Sequence, residues 1–332
     1  MTSAIPLIDI APFRNGDTAD RRAVARAVNS ACEELGFLLV TGHGVPAALT
    51  EDMRRVSFAF FDRPLDDKLR YRMPPDRYRG YIAYGNEALS YSLDEVSPPD
   101  IKESFSIGPV DAPDDAYHRA AAPAKFFAPN LWPDGQPEFR TVWSAYYRHM
   151  EALAATLMHA FALGLGMPEG FFDDKIDRHI TNFSVLHYPA QLEPPLPGQL
   201  RAGAHTDYGS LTILRTDSAA GGLQVQSPEG SWLDVPHLPE AFVVNLGDLM
   251  AEWTNDRWVS TLHRVVNPPR SAGSAARRLS MAFFHQPNYD AVIDCLPTCV
   301  AADRPARYGR TTSGEHVWMK ITKQRTFDRP AA

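Results

Sequence analysis

The spacing of apolar residues predicts three helices in the first half of the chain. Apolar side chains recur at helical intervals over residues 24–35, over residues 49–60 and, in the longest pattern, over residues 139–161. Asp17 or Thr18 is suited to cap the first helix, and Gly36 is suited to end it before a short buried strand at residues 37–40. Between the second and third helices lie roughly seventy residues rich in Pro and Tyr, which we expect to form a functional lid or insertion because plain connections are shorter.

The pattern changes near residue 180 to short apolar runs that are typical of strands. Turn residues such as Gly221-Gly222 and Pro268-Pro269 separate these runs. The predicted strands cover residues 183–188, 211–214, 223–225, 242–245, 262–266 and 279–284. Several short strands at close spacing favour an antiparallel sandwich or a jelly roll.

The composition argues against several classes of protein, among them nucleic-acid-binding, disordered and membrane-spanning proteins. The 332 residues include 33 Lys plus Arg and 40 Asp plus Glu, and a net charge of −7 argues against a nucleic-acid partner, because neutralising phosphates requires a basic surface. A hydrophobic content of 44% with 22% charged residues excludes a largely disordered chain. No apolar run approaches the roughly 18 residues of a membrane span, and three cysteines make neither a disulfide framework nor a cysteine-based zinc site. We therefore expect a cytoplasmic protein without a membrane partner.

Two histidines are followed by a carboxylate two residues later. The pair His149 and Glu151 lies in the longest predicted helix, where residues two apart diverge by about 200° and cannot share one ion. The pair His205 and Asp207 lies at the mouth of a predicted strand, where residues two apart point to the same face. Only the second pair is therefore a candidate for metal binding, with a hydrogen-bonded surface pair as the alternative.

A third ligand is expected from a neighbouring strand, because two protein ligands rarely hold a metal. His263 is the best candidate, since residues 261–266 alternate as a strand. Two histidines and one carboxylate that leave positions open are typical of non-haem Fe(II) oxygenases. The same ligand set also binds zinc, so a zinc hydrolase on a cupin-like barrel remains an alternative at this point.

Arg278 and Ser280 form a second constellation. Residues 278–284 read as one strand. Because side chains along a strand alternate between its two faces, Arg278 and Ser280 lie on the same face. A guanidinium binds a carboxylate through two parallel hydrogen bonds, and a hydroxyl two residues away can donate to the same group. An acidic small molecule is therefore the expected partner, unless the arginine faces water from an edge strand.

Taken in order, short segments along nearly the whole chain resemble the isopenicillin N synthase-like branch of the Fe(II)/2-oxoglutarate-dependent oxygenases. The segment GFLLVTGHGVP (residues 36–46) resembles the family's "GF…V.NHGV" stretch. The other matching segments are IPLIDI (5–10), FFDRPL (60–65) with Lys68, RGY (79–81), KESF (102–105), NLWP (130–133), His205-Thr206-Asp207, NLGD (245–248), His263-Arg264-Val265 and Arg278-Leu279-Ser280. Each segment alone is weak, but their joint order is highly specific.

The resemblance implies an α+β fold whose double-stranded β-helix (jelly-roll) core is flanked by N-terminal helices. Residues 1–135 would form an N-terminal region of helices and strands, and residues 136–332 would form the long helix, the catalytic core and a C-terminal tail within one compact unit. Lid residues 81–105 and the C-terminal residues 316–327 are expected to contact substrate.

The resemblance also implies the ligands of the site. Fe(II) would be held by His205, Asp207 and His263, and O2 and 2-oxoglutarate would be the cosubstrates. Arg278 and Ser280 would bind the distal carboxylate of 2-oxoglutarate, and the chain has Tyr188 where the family has the Tyr of an "N-x-Y" motif. The implied reaction is hydroxylation, desaturation or cyclisation of a small-molecule metabolite.

Two departures from the family pattern affect the cosubstrate site. Leu186 replaces the Asn of the "N-x-Y" motif, which removes a polar group near the oxoacid end. The segment at residues 271–276 resembles an insertion between His263 and Arg278, so that Arg277 is a fallback for binding the carboxylate.

Three other functions are compatible with these residues. A related iron oxidase would use the Arg-x-Ser pair for the carboxylate of its own substrate, and an ethylene-forming enzyme would fragment 2-oxoglutarate itself. A jelly-roll binding protein without catalysis is the alternative from a different class, although the intact ligand triad argues against it.

Overall fold

The computed structural model describes residues 5–74, 77–93, 97–191, 193–219 and 221–326. The helices within these ranges are α1 (Ala11–Asn15), α2 (Thr18–Glu34), α3 (Ala47–Phe61), α4 (Leu65–Leu69), α5 (Ala116–Arg119), α6 (Pro137–Gly164), α7 (Asp173–Ile176), α8 (Asp248–Trp253) and α9 (Ser313–Thr326). The strands are β1 (Leu7–Asp9), β2 (Phe37–Thr41), β3 (Gly80–Ile82), β4 (Glu103–Ile107), β5 (Asn182–Tyr188), β6 (Ala202–His205), β7 (Leu211–Arg215), β8 (Leu223–Gln226), β9 (Trp232–Asp234), β10 (Phe242–Leu246), β11 (His263–Val265), β12 (Arg278–His285), β13 (Val292–Ile293) and β14 (Thr311–Thr312).

Helices α2, α3 and α6 are the three that the apolar spacing predicts. Asp17 caps α2, because its side chain accepts hydrogen bonds from the backbone amides of Ala19 and Asp20. Gly36 ends the same segment with a φ of 66°, and any Cβ at this position would lie 2.0 Å from the carbonyl oxygen of Val259. Asp17 therefore sets the start of this helix through local hydrogen bonds, and Gly36 sets its end through a positive φ and a close approach to Val259.

Two sheets face each other across the central cavity. The large sheet has eight strands in the order β1-β2-β10-β7-β12-β5-β4-β3, and the small sheet has four in the order β6-β11-β8-β9. Apart from the parallel pair β1–β2, the neighbouring strands run antiparallel. This arrangement, with helices beside the sheets, confirms the predicted α+β fold with a double-stranded β-helix core.

The segment between α3 and α6 differs from its prediction as a lid. It contributes β3 and β4, and β4 pairs with β5 through Glu103↔His187 to extend the large sheet. The inner face of β4 carries Ser104 and Ser106, so its alternation of polar and apolar residues looks like that of a solvent-facing segment. Strand β4 is fixed by a partner 84 residues away along the chain, and β3 is fixed by β4, which local patterns do not reveal.

Alternation along the strands separates the cavity from the outer core. On β12, Arg278 and Ser280 line the cavity, whereas Leu279 and Met281 belong to the apolar core outside the large sheet. Helix α6 contributes Trp143 to that core, where its ring meets Phe105 and Phe183 edge-on. None of the helices in the described ranges has the length and apolar character needed to cross a bilayer.

Candidate metal and cosubstrate site

Three predicted ligands converge at one end of the small sheet. His205 is the last residue of β6, and it lies directly opposite His263, the first residue of β11. Their ring centroids are 4.3 Å apart, and Nε2 of His263 lies 3.8 Å from Oδ1 of Asp207. One ligand atom from each of the three buried residues lies within 4.8 Å of the other two. Two imidazoles and one carboxylate at this separation fit a single divalent metal ion, with Fe(II) among the metals that such a set prefers.

The position of Asp207 has a different cause from the predicted one. Strand β6 ends at His205, so strand alternation does not bring the two side chains to one face. Instead, Oδ2 of Asp207 accepts hydrogen bonds from Oγ1 of Thr212 (2.6 Å) and Nδ2 of Asn245 (2.7 Å). Thr212 and Asn245 are cross-strand partners on β7 and β10. The large sheet therefore holds the carboxylate, while the small sheet holds both imidazoles.

Backbone carbonyls orient both histidine rings. Nδ1 of His205 lies 2.8 Å from the carbonyl oxygen of Gly203, and Nδ1 of His263 lies 3.0 Å from that of Thr261. A carbonyl oxygen can only accept, so Nδ1 carries the proton and Nε2 presents its lone pair. This is the tautomer that a metal needs, fixed by groups outside the ligand set.

Burial and the neighbouring histidine keep the ring of His205 neutral. Burial, with a further contribution from the neighbouring His263, lowers the pKa of His205 to about 3. Burial alone would raise the pKa of Asp207, but the two histidines and the hydrogen bonds from Thr212 and Asn245 outweigh this effect and lower it. His205 and Asp207 are therefore in the deprotonated forms that bind metal.

The predicted cosubstrate residues lie in the same cavity. Arg278 is 2% exposed, and its guanidinium donates to the carbonyl of Gly221 and, at 3.5 Å, to Oγ of Ser280. Among the described residues no carboxylate lies within ion-pair distance of Arg278, and its Nε has no hydrogen-bond partner. Tyr188 lies opposite Arg278 on β5, and the arginine lies 5.7 Å from the centre of the tyrosine ring. Burial lowers the pKa of Arg278, so the site favours an incoming anion.

The fallback residue Arg277 points the other way. Its Nη2 contacts Oδ1 of Asp62 at 2.6 Å, and its Nε donates to Nε2 of His187 at 2.8 Å. Both partners lie outside the cavity, because alternation along β5 and β12 sends neighbouring residues to opposite faces. The fallback is therefore wrong.

Two buried basic residues near the site were missed by sequence reasoning. Nζ of Lys102 faces the cavity between Asp100, at 2.7 Å, and Glu87, at 3.3 Å. Oδ1 of Asp100 accepts a hydrogen bond from the backbone amide of Gly203 at 2.9 Å and so ties the segment before β4 to the strand that carries His205. Arg201 lies 5.7 Å from the ring of Tyr188 and supports it from outside the cavity lining. Lys102 was identified only as part of the KESF segment, since burial is not visible in a single sequence.

Two further parts of the chain contribute to the lining of the cavity. Residues of the segment around β3 contribute Tyr78, Arg79 and Ile82, and helix α9 contributes Val317 and Ile321. Some residues of each range predicted to contact substrate, 81–105 and 316–327, therefore line the cavity. Tyr81 and Phe105 face the outer core instead, and Phe327 lies outside the described residues.

Comparison with known proteins gives the family. Residues 5–135 match the family model described as "non-haem dioxygenase in morphine synthesis N-terminal", and residues 180–287 match the "2OG-Fe(II) oxygenase superfamily". The chain is similar to the 2-oxoglutarate-Fe(II) type oxidoreductase hxnY of Emericella nidulans, with 35% identity over 92% of this chain and 86% of that protein. It is also similar to the validamycin A dioxygenase of Streptomyces hygroscopicus, with 34% identity over 82% of this chain and 74% of that protein.

Solved structures agree with this assignment. A full-length Neurospora crassa protein in complex with alpha-KG and thymine superposes with a TM-score of 0.84 at 34% identity, over 96% of each chain. The fold, the convergent ligand set and these relatives are consistent with one another, and they make the chain an oxidoreductase that uses iron, 2-oxoglutarate and O2. The chain belongs to the isopenicillin N synthase-like family of Fe(II)/2-oxoglutarate-dependent oxygenases.

Proposed function

We propose that His205, Asp207 and His263 bind Fe(II), that Arg278, Ser280 and Tyr188 bind 2-oxoglutarate, and that the enzyme hydroxylates a small-molecule metabolite. When bound, the metal supplies the activation of O2 that is coupled to oxidative decarboxylation of 2-oxoglutarate. The protein supplies the ligand geometry, the orientation of both substrates and a cavity that excludes water.

The chain's own residues have separable tasks in this proposal. Arg278 holds the distal carboxylate of 2-oxoglutarate with charge-assisted hydrogen bonds, and Ser280 donates its hydroxyl to the same carboxylate. Tyr188 closes the side of this subsite, and Leu186 presents an apolar surface beside it. The carbonyls of Gly203 and Thr261 hold the ring protons on Nδ1 throughout, so the metal ligands do not exchange protons with substrate.

The observation that carries the proposal is the environment of Arg278. A guanidinium that is 2% exposed and lacks a carboxylate partner among the described residues is costly to bury without an anion. It shares one cavity with the three metal ligands, so an anion that binds there can also reach the metal. A dicarboxylate with a 2-oxo group satisfies both ends at once.

An anaerobic titration tests this function directly. The Fe(II)-loaded protein is titrated with 2-oxoglutarate while the visible charge-transfer absorption is recorded. We expect a band that saturates with 2-oxoglutarate and does not appear with glutarate, which lacks the 2-oxo group. Bound iron without a band at any concentration would contradict the proposal and favour an oxidase that takes its electrons from substrate.

We further propose a cytoplasmic location and a two-part organisation. The three cysteines are unpaired, as expected for a reducing compartment. Residues 1–135 would act as the N-terminal region and residues 136–332 as the catalytic part of one unit. Thymine, bound by the Neurospora crassa protein, is one example of the size of substrate that this cavity would accept.

A further inference from the structure

Arg79 is a second buried guanidinium in the catalytic cavity. It directly precedes β3, its exposed fraction is 1%, and its side chain belongs to the cavity lining. Burial lowers its pKa to about 10. Arg79 is not among the residues proposed above to bind Fe(II) or 2-oxoglutarate.

The contacts of Arg79 leave part of its guanidinium unsatisfied. Nη1 donates to the carbonyl of Tyr78 at 2.6 Å, and Nη2 donates to the carbonyl of Phe126. Asn182 lies beside it, but its amide is better satisfied when its nitrogen faces the carbonyls of Tyr78 and Ile107 and its oxygen faces Ser184. Nε of Arg79 has no hydrogen-bond partner, and no carboxylate of the described residues lies within ion-pair distance.

Other buried cations of the chain are compensated or lie elsewhere. Lys68 contacts the carboxylate of Glu103 at 2.7 Å, and Lys102 contacts that of Asp100 at 2.7 Å. Arg201 does not line the cavity. Arg79 therefore shares with Arg278 the combination of burial, a position in the cavity lining and no carboxylate partner among the described residues.

The register of the large sheet places Arg79 far from the subsite of Arg278. Thr212, which holds Asp207, is paired with Phe284, and Phe284 is paired with Asn182. Asn182, next to Arg79, is thus two strands from Thr212, about 10 Å at the usual strand spacing. Phe284 is six residues along β12 from Arg278, which corresponds to about 20 Å. One bound 2-oxoglutarate cannot contact both arginines.

We infer that Arg79 is a specificity-determining residue that binds an anionic group, such as a carboxylate, on the prime substrate. This inference rests on the proposed function, because the oxidised carbon must lie at the metal. The anionic group would then lie roughly 10 Å from that carbon. Phe126, Ile180 and Val317 line the same part of the cavity, so the body of the substrate between the two ends is apolar. The substrate class is a small organic acid with an apolar body.

A series of matched acids and amides tests this inference. The probes are phenylacetate, 3-phenylpropionate and 4-phenylbutyrate, each beside its primary amide, which keeps the shape and removes the charge. Binding is measured without O2 to the protein loaded with Fe(II) and saturating 2-oxoglutarate, from the change in the charge-transfer band and from the thermal midpoint. Saturating 2-oxoglutarate occupies Arg278, so a preference for acids reports on a different site.

We expect at least one acid to bind the unmodified protein about tenfold more tightly than its amide, as a charge-assisted hydrogen bond would provide. The variant Arg79→Gln should lose this preference, and Arg148→Gln should keep it, because Arg148 is exposed on α6 and pairs with Asp111. No preference for any acid in the unmodified protein would overturn the inference, even if Arg79→Gln does not fold. A preference that persists in Arg79→Gln would overturn it as well.

Failure of the inference is distinguishable from failure of the proposed function. The charge-transfer band with 2-oxoglutarate alone reports the function, and it does not involve Arg79. A normal band without any acid preference contradicts only the inference about Arg79. Absence of the band contradicts the function itself.

Discussion

At the scale of single residues, the site depends on where protons and charges are held. The imidazoles of His205 and His263 are each fixed through Nδ1 by a carbonyl two residues earlier. Arg278 is held by a backbone carbonyl and a hydroxyl, which orient its guanidinium without neutralising it. The imidazoles therefore remain able to bind a metal ion, and the guanidinium remains able to bind an anion.

Removing one imidazole should abolish metal binding without unfolding the protein. We expect His205→Ala to lose stoichiometric Fe(II) and all turnover, because two remaining ligands rarely hold a divalent ion. The matched control is His149→Ala on the exposed face of α6, which should bind iron normally. Metal content and circular dichroism after anaerobic loading provide the measurement. Full iron occupancy in His205→Ala would contradict the ligand assignment.

Variants of the neighbouring residues Arg278 and Arg277 serve as test and matched control for the binding of 2-oxoglutarate. Arg278→Leu should raise the apparent Michaelis constant for 2-oxoglutarate by a factor of about 10 to 100, as expected for lost charge-assisted hydrogen bonds. Arg277→Leu should leave this constant nearly unchanged, because its side chain contacts Asp62 and His187 outside the cavity. Succinate release at varied 2-oxoglutarate measures both variants. The reverse order of effects would show that Arg277 binds the carboxylate.

At the scale of elements, β4 holds the large sheet together through a buried ionic network. Glu103 accepts hydrogen bonds from Lys68 (2.7 Å), Tyr81 and Nδ1 of His187 (2.7 Å), and Arg277 donates to the other ring nitrogen of His187. Burial alone would raise the pKa of Glu103, but the hydrogen bonds outweigh it and lower the pKa. The carboxylate is therefore more stable in its charged form when the protein is folded.

The variant Glu103→Gln should test this network through stability. We expect a loss of about 3 kcal/mol in the free energy of unfolding near neutral pH, because Lys68 is left buried without a carboxylate. Since the folded pKa of Glu103 lies below the unfolded value, its contribution is present above the unfolded pKa and is lost as pH falls through the folded one. Denaturant unfolding between pH 7 and pH 3 should therefore show a shallower pH dependence in the variant. Parallel curves with equal midpoints would contradict the role assigned to Glu103.

The elements also show how far the sequence could predict the structure. Helical spacing and local caps predicted α2, α3 and α6, and β5, β7, β10 and β12 lie within a residue or two of their predicted ranges. Strands β3 and β4 were missed, because β4 carries Ser104 and Ser106 on its cavity face and pairs with β5, which is distant in sequence, and β3 in turn pairs with β4. The three metal ligands were found from residue types, whereas Lys102 and Arg79 required burial and contacts that only the fold supplies.

At the scale of the whole molecule, the cavity lies between two sheets and under one helix. Helix α9 places Val317 and Ile321 at the cavity, and Lys320 binds Asp248 at 2.8 Å. Asp248 also accepts a hydrogen bond from the hydroxyl of Thr206, which lies between two metal ligands. Ligands that fill the cavity therefore contact parts of the fold that are remote in sequence.

Binding of the cosubstrate should stabilise the entire fold. At a concentration of 2-oxoglutarate one hundred times its dissociation constant, the free energy of unfolding should rise by about 2.7 kcal/mol. Thermal unfolding of the Fe(II)-loaded protein without O2 measures this increase, and glutarate at the same concentration is the control ligand. An unchanged midpoint with 2-oxoglutarate would contradict binding between the sheets, and Arg278→Leu should reduce the increase.

The division of the metal ligands between the sheets has a mechanical consequence. His205 and His263 belong to the small sheet, whereas Asp207 is fastened to Thr212 and Asn245 of the large one. A metal ion coordinated by all three would act as a cross-link between two layers that otherwise meet around an open cavity. Chelation would then allow the layers to separate more often, and the amide hydrogens of β6 and β11 would exchange with solvent sooner than those of β5 and β12.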